Sequence, residues 1–372
     1  MSRLKVLSVF GTRPEATKMC PLVKELSRRP EIDSIVLSTG QHREMLDSVL
    51  RIFDVIPDKD LAIMKPGQTQ PGVVSDILFG VTEYIREIKP DIVLVHGDTT
   101  TSFASALAAF YEKALVGHVE AGLRTYDKWS PYPEEMNRCL TTRIAELHFA
   151  PTANNVSNLA AEGVTKNVYI TGNTGLDSFA YTIKKDYRFR DKTINEAIST
   201  GGRVIVMTAH RRENLGEGIA NICSAVRRIA ERYPDVTVVY PVHLNPAVRD
   251  TVFPALSGIS NVRLCDPVDV TDMHNLMSRS NLCLTDSGGL QEEAPALGLP
   301  VLVLRSETER PEAAEAGTVK VIGTDPDVIF NETCRLLDDK TAYAAMANAV
   351  NPYGDGHASE RIADAIINYF GC

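Results

Sequence analysis

The run Leu282-Cys283-Leu284-Thr285-Asp286-Ser287-Gly288-Gly289-Leu290-Gln291-Glu292-Glu293 carries the clearest structural message of this 372-residue chain. It reads as a strand, a tight turn and the first turns of a helix that runs on into Ala294-Pro295-Ala296-Leu297-Gly298. Two glycines let the backbone approach a ligand closely, and the free N–H groups of a helix start attract an anion. Gln291, Glu292 and Glu293 on the following turns offer acceptors to sugar hydroxyls. A phosphate cradle with carboxylates a few residues along points to a nucleotide. In isolation an ordinary strand-to-helix turn would look the same, so the rest of the chain decides.

Strand-like and helix-like segments alternate throughout. Apolar runs at Leu4-Phe10, Ile35-Leu37, Ile92-Val95 and Leu115-Val119 are continuous rather than alternating, as expected of strands buried on both faces of a parallel sheet. A second series follows Gly201-Gly202, with Val204-Met207, Val236-Tyr240, Val262-Leu264, Leu282-Thr285 and Pro300-Leu304. The pattern predicts an α/β protein of two doubly wound, Rossmann-like domains with a cleft between them. The expected division is residues 1–170, residues 171–352, and a C-terminal segment 353–372. The charged stretch Lys184–Lys192 is expected to be solvated. Asn351-Pro352-Tyr353-Gly354 must turn the chain, and Ser359 is the expected cap of a last helix carrying Ile362, Ile366, Ile367 and Phe370 on one side.

Bulk composition narrows the function. Net charge is −9, which disfavours nucleic-acid binding by bulk electrostatics, so an anionic ligand must be held by local cations. No apolar run reaches membrane-spanning length, and Met1-Ser2-Arg3 leads directly into a strand rather than a secretion signal. Seven cysteines lie scattered without a CxxC pair, which fits reduced thiols in a cytoplasmic protein and argues against disulfides or structural zinc.

Ligands of open parallel sheets bind beyond the carboxyl ends of the strands. The first strand delivers Gly11-Thr12-Arg13-Pro14-Glu15 and, a turn later, Lys18. Arg13 and Lys18 are candidate phosphate ligands. This is not a GxGxxG fingerprint, so an NAD site is not expected. The strand Ile92-Val95 runs into His96-Gly97-Asp98-Thr99, and Leu115-Val119 into Glu120-Ala121-Gly122-Leu123-Arg124. Asp98 has two readings, a helix N-cap or an acid/base group. A carboxylate at Glu120 would be costly to bury unpaired, with Arg124 a possible structural partner.

Further on, Tyr132-Pro133-Glu134-Glu135-Met136-Asn137-Arg138 opens a helix. Glu134, Asn137 and Arg138 share one face, and Glu135 is read as a surface cap. Asp98, Glu120 and Glu134 with Arg138 form a plausible acid/base set. The second series of strands ends in His210-Arg211-Arg212 and in Pro241-Val242-His243, and Pro300-Leu304 leads to Arg310. These cations suit a phosphate, and Arg310 has Glu293 or the nucleotide as candidate partners.

Taken together, the chain resembles the non-hydrolysing UDP-N-acetylglucosamine 2-epimerases of bacteria. The matching stretches are Phe10-Gly11-Thr12-Arg13-Pro14-Glu15-Ala16, Val95-His96-Gly97-Asp98-Thr99, His118-Val119-Glu120-Ala121-Gly122-Leu123-Arg124 and Pro133-Glu134-Glu135-Met136-Asn137-Arg138. To these are added His210-Arg211-Arg212-Glu213-Asn214, Pro241-Val242-His243 and Asp286–Glu293. The resemblance implies a glycosyltransferase-B-like fold, a homodimer, no metal or NAD, and a last helix returning to the first domain. It implies UDP-GlcNAc and UDP-ManNAc as substrate and product, and hence a supply of UDP-ManNAc for cell-surface polysaccharide.

By the same resemblance Asp98, Glu120 and Glu134 do the proton work, with His210 beside them. Arg13, Lys18, His210, Ser287, Gly288, Gly289 and Arg310 hold the diphosphate and Glu293 the ribose, with Arg138, Arg211 and His243 among the other substrate contacts. Some members also bind a second UDP-GlcNAc as activator. Gln41, Gln68 and His243 match that set, whereas Glu44 and Gly67 stand where a glutamine and an arginine are expected, which implies weakened activation. Val270 and Met273 likewise stand where many members carry aromatic residues. The nearest rival is a hydrolysing epimerase that releases ManNAc and UDP; its first turn typically has alanine after the arginine, where this chain has Pro14. A glycosyltransferase sharing the fold is a second rival.

Overall fold

Leu4–Phe10 forms β1, buried at every position but Lys5. Its alternate residues feed two cores: Val6 and Phe10 pack on one face of the sheet, Leu7 and Val9 on the other. That two-sided burial is why the run is apolar without alternation. The computed structural model describes residues 3–40, 43–65 and 67–372, with the backbone alone at 43–45.

Among the described residues the first sheet has seven strands, all parallel: β1, β2 (Ile32–Ser38), β3 (Lys59–Asp60), β4 (Ile92–His96), β5 (Leu115–Val119), β6 (Leu147–Ala150) and β7 (Val168–Ile170). Their order is β3-β2-β1-β4-β5-β6-β7. A second parallel sheet comprises β8 (Arg203–Thr208), β9 (Val236–Pro241), β10 (Val262–Cys265), β11 (Leu282–Thr285), β12 (Val301–Val303) and β13 (Val319–Val321), ordered β10-β9-β8-β11-β12-β13. The strand order of each sheet reverses once, between β1 and β4 and between β8 and β11. Such switch points are where doubly wound sheets leave a crevice for ligand. The two Rossmann-like units are those expected of the glycosyltransferase-B-like class.

The chain divides into two compact units, Met1–Tyr181 with Tyr353–Cys372, and Thr182–Pro352. The boundary falls later than residue 170 because the short helix Thr174–Asp177 and the ring of Tyr181 still belong to the first core, Tyr181 packing on Phe53 at 5.6 Å. Residues 353–372 contribute to that same core. In the helix Ala358–Phe370, Ile362 and Ile366 are fully buried, each stabilising by about 1.5–3 kcal/mol. The expected Ser359 cap is not what starts this helix. Asp177, in the same unit but far earlier in the chain, accepts from the N–H groups of Ala358 (3.1 Å) and Ser359 (2.6 Å).

Lys184–Lys192 is not simply solvated charge. Phe189 is buried, Tyr187 meets it edge-on at 5.2 Å, and the Tyr187 hydroxyl donates to Asp272 at 2.8 Å. None of the seven cysteines forms a disulfide. Among the described residues no helix is long and apolar enough to cross a membrane.

Candidate functional site

In the first unit, the turn after β1 is built around a buried carboxylate. Thr12 caps the helix Arg13–Arg28, and Glu15 returns to accept from the N–H groups of Thr12 (2.8 Å) and Gly11 (3.0 Å), a capping box. The other oxygen of Glu15 accepts from Thr99 Oγ1 at 2.6 Å and Ser102 Oγ at 3.2 Å. Glu15 thereby staples the turn after β1 to the turn after β4, across the switch point. Gly11 is required by the closeness of the residue after β2, since a Cβ there would stand 1.9 Å from Thr39 Oγ1. Pro14 occupies the helix's first turn, and Arg13 is exposed with no side-chain partner among the described residues.

Asp98 is not a helix cap. Thr99 caps the helix Thr100–Tyr111, accepting from Ser102 N at 3.0 Å, which leaves the Asp98 carboxylate for Arg138. Arg138 donates to Asp98 Oδ2 from Nε (3.0 Å) and Nη2 (2.6 Å), and from Nη1 to Glu135 at 2.9 Å. Arg138, expected among the substrate contacts, is buried and paired with these two carboxylates. Glu135 is no surface cap either: it is buried and accepts from the N–H groups of Thr125 and Tyr126, both at 3.0 Å. Glu134, one residue earlier on the same helix start, is half-buried and has no side-chain partner among the described residues.

Glu120 stands at the end of β5 with φ of 62°, a left-handed conformation unusual for a side-chain-bearing residue. Holding it costs on the order of 1–3 kcal/mol and marks places where a side chain must be aimed. Its carboxylate is ion-paired with Lys18, lies 3.6 Å from His96 Nε2, and accepts from Asn173 Nδ2 at 3.4 Å. Burial opposes the charge, yet Lys18 and then His96 outweigh it and hold the carboxyl well below the usual carboxylate range. Its other oxygen lies beside Gly97, the neighbour of Asp98. The partner of Glu120 is therefore Lys18, the residue expected on the diphosphate. Arg124, the alternative partner, pairs with Glu162 at 2.5 Å.

His118 and His148 stand in register on β5 and β6, both buried. Burial pushes His118 down to about 3 and His148 to about 4, and His118 Nε2–H donates to Gly97 O at 2.8 Å. At neutral pH both are uncharged. The unfolded chain takes up protons at these imidazoles below its ordinary value of 6.5, which the folded state refuses, so stability falls as pH drops from that value toward 3. His118→Asn is expected to flatten the melting-temperature profile between about pH 7 and 5. Parallel profiles for variant and parent would remove the assignment.

The second unit repeats the design. Asp286, fully buried at the end of β11, accepts at Oδ2 from the N–H groups of His210 and Arg211 (both 2.8 Å) and from Asn214 Nδ2 (3.0 Å). It ties the turn after β8 to the turn after β11, as Glu15 does in the first unit. Ser287 then precedes the helix Gly288–Ala296 without capping it by its side chain, so the first-turn N–H groups stay open to an anion. A Cβ placed on Gly288 would lie 3.7 Å from Arg211 Nη2 and 3.9 Å from Arg310 Nη2, so two guanidinium groups flank that helix start. Arg310 is ion-paired with Glu292, not Glu293. Gln291 and Glu292, expected to meet sugar hydroxyls, are buried; Gln291 accepts from Thr308 Oγ1 at 2.6 Å. Glu293 alone of the three is part-exposed, with His274 Nε2 at 3.5 Å.

His210 lies with Nδ1 3.6 Å from Asp286 Oδ1, and its ring stacks on that of His243, centroids 5.0 Å apart and planes within 10°. Burial lowers its proton affinity; Asp286 works against that, and His243 and Arg211 add to it. Of the set expected to bind an activator, Gln41 lies outside the described residues, as does the side chain of Glu44. Gln68 donates to Ile63 O at 2.8 Å and Asp76 at 3.1 Å. Among the described residues no group of three or more His, Cys, Asp or Glu is arranged to hold a metal ion.

The sequence reading missed His96 and Asn173 as neighbours of Glu120, and Asp286 and Glu15 as staples. Their signal was position: His96 ends a strand, and the others sit in the first residues past a strand or cap the next helix.

The family model for UDP-N-acetylglucosamine 2-epimerase matches residues 24–367. The chain belongs to the UDP-N-acetylglucosamine 2-epimerase family. It is 52% identical to the Bacillus subtilis UDP-N-acetylglucosamine 2-epimerase, covering 100% of this chain and 97% of that protein. Its structure is similar to that of the Neisseria meningitidis UDP-GlcNAc 2-epimerase bound to UDP-GlcNAc, with a TM-score of 0.86 at 47% identity over 98% of this chain and 100% of the other. Acinetobacter baumannii MurG shares the fold alone, at a TM-score of 0.64 and 14% identity over 99% of this chain and 100% of that one. The stretches that suggested this epimerase family are those that build the two clusters described above.

Proposed function

We propose that this protein inverts C2 of UDP-GlcNAc, interconverting it with UDP-ManNAc without hydrolysis. The observation that carries the reading is Glu120, a carboxylate kept charged at a buried strand end, with Asp98 and Glu134 on the neighbouring turn and helix start. The hydrogen on C2 has no adjacent carbonyl to acidify it. As the C1–O bond to UDP breaks, its electron pair leaves on the β-phosphate oxygen and positive charge grows at C1. A carboxylate then removes the C2 proton, and the C2–H electrons form the C1=C2 bond of 2-acetamidoglucal. UDP oxygen re-adds at C1 while a second acid delivers a proton to the opposite face of C2. No water, metal or redox partner enters the balance.

Asp98, Glu120 and Glu134 share the proton work. Lys18 acts through Glu120 by holding it ionised, and Arg138 orients Asp98. Arg13, Arg211, His210, Arg310, the Ser287 hydroxyl and the open N–H groups at Gly288 and Gly289 suit the leaving diphosphate, with Glu293 on the ribose; the Ser287 N–H itself donates to Thr285 Oγ1 at 2.9 Å. The Neisseria meningitidis relative solved with UDP-GlcNAc supports this substrate.

Incubation with UDP-GlcNAc alone in heavy water tests it. The expected result is deuterium at C2 in both sugars, with UDP-ManNAc intact. Free ManNAc and UDP would replace the reading by a hydrolysing epimerase, and no C2 exchange would leave a transferase.

A further inference from the structure

Resting on the reading of His210 as a diphosphate ligand, we infer that His243 is a positioning residue: stacked on His210, it holds that ring so that Nε2 meets the anion, and the pair takes up a single proton as the anion arrives. Four contacts fix the arrangement. Asn245 is locked as the cap of the helix Pro246–Leu256, its side chain accepting from Ala247 N at 3.0 Å. The Asn245 N–H donates to His243 Nδ1 at 3.1 Å, which sets the plane of that imidazole. His210 lies parallel to it at 5.0 Å. The far edge of His210 is set by Asp286, whose Oδ1 is buried, has no hydrogen-bond partner among the described residues, and lies 3.6 Å from Nδ1.

The charge logic follows from those neighbours. The groups facing His210 are Asp286, His243 and Arg211. Without ligand, burial, Arg211 and the second imidazole all oppose a proton on His210. A diphosphate adds negative charge at Nε2. An imidazolium then becomes the favoured form, donating from Nδ1 to Asp286 and from Nε2 to the phosphate. The proton comes from solvent. His243 Nδ1 accepts from the Asn245 N–H, so that nitrogen carries no proton, and the ring offers its π face to the charged one. One proton, not two, enters with the ligand.

The test is calorimetric titration of UDP-GlcNAc into Asp98→Asn protein, expected to bind without turnover, in two buffers of different ionisation enthalpy near neutral pH. UDP-GlcNAc itself does not titrate there, so the expected uptake of about one proton belongs to the protein. On the Asp98→Asn background, His243→Phe keeps an aromatic face and retains the uptake, whereas His243→Ala loses most of it. In otherwise unaltered enzyme, His243→Ala raises KM roughly tenfold with a smaller change in kcat, and His243→Phe restores KM. Binding with no proton uptake, or Phe and Ala variants that behave alike, would overturn this inference and leave the epimerase reading standing. No binding of UDP-GlcNAc at all would overturn both.

Discussion

Glu120→Gln is expected to lose C2 exchange by about a thousandfold or more while still binding UDP. The substitution keeps the shape of the side chain but removes the charge that Lys18 and His96 surround. Asp98→Asn should behave alike, because Arg138 then faces an amide that can no longer accept a proton. Exchange within about tenfold of the parent in both variants would defeat the assignment of proton work to these groups.

Lys18→Met separates the base from its support. It leaves the Glu120 carboxylate buried without its main cation, a change worth about 3–5 kcal/mol of stability at neutral pH. In the parent, the lowered proton affinity of Glu120 gives stability that is present above the ordinary carboxylate value and lost as pH falls through the folded value. In Lys18→Met, burial dominates and the carboxyl is raised, so the sign inverts: the variant gains stability relative to the parent as pH drops. The acid limb of its residual activity should move to higher pH. Adding Glu120→Leu should restore stability but not activity, and a Lys18→Met protein with the parent's pH profile would show that Lys18 does not set the charge.

Asp286→Ala is the second large effect. Three donors, from His210, Arg211 and Asn214, converge on one oxygen of this buried carboxylate, and Asn214 also reaches Leu304 O at 3.0 Å. Removing it strands those donors and is expected to cost about 3–5 kcal/mol in thermal unfolding. With the turn after β8 untied, UDP affinity should fall together with stability. Asp286→Asn retains one acceptor oxygen and should keep the fold while weakening UDP binding. Full UDP affinity in Asp286→Asn would limit the role of Asp286 to stability.

Much of this arrangement was legible in the sequence. Long buried strands such as Leu4–Phe10 and Leu115–Val119 announce themselves, since a strand covered on both faces must be apolar throughout. Lys59–Asp60 and Val319–Val321 were not legible, because edge strands of two or three residues carry no apolar run. Which residues gather near each turn was readable from strand ends. Who pairs with whom was not. Lys18 and Glu120 are separated by 102 residues and Arg138 and Asp98 by 40, and only the sheet order brings them together. Gln291 and Glu292 looked like ligand groups, yet they are buried, while Glu15 and Asp286 tie backbone turns. Nothing local in a sequence tells a carboxylate that meets substrate from one that meets N–H groups.

The helix Ala358–Phe370 belongs to the first unit, while residues 182–352 form the second. During synthesis, the contiguous second unit can therefore finish folding before the unit that began earlier. The first must wait, its groove for Ile362 and Ile366 open to solvent, until those late residues leave the ribosome. Cleavage in the turn near Pro352 would accordingly harm the amino-terminal half of the protein rather than the half it adjoins in sequence.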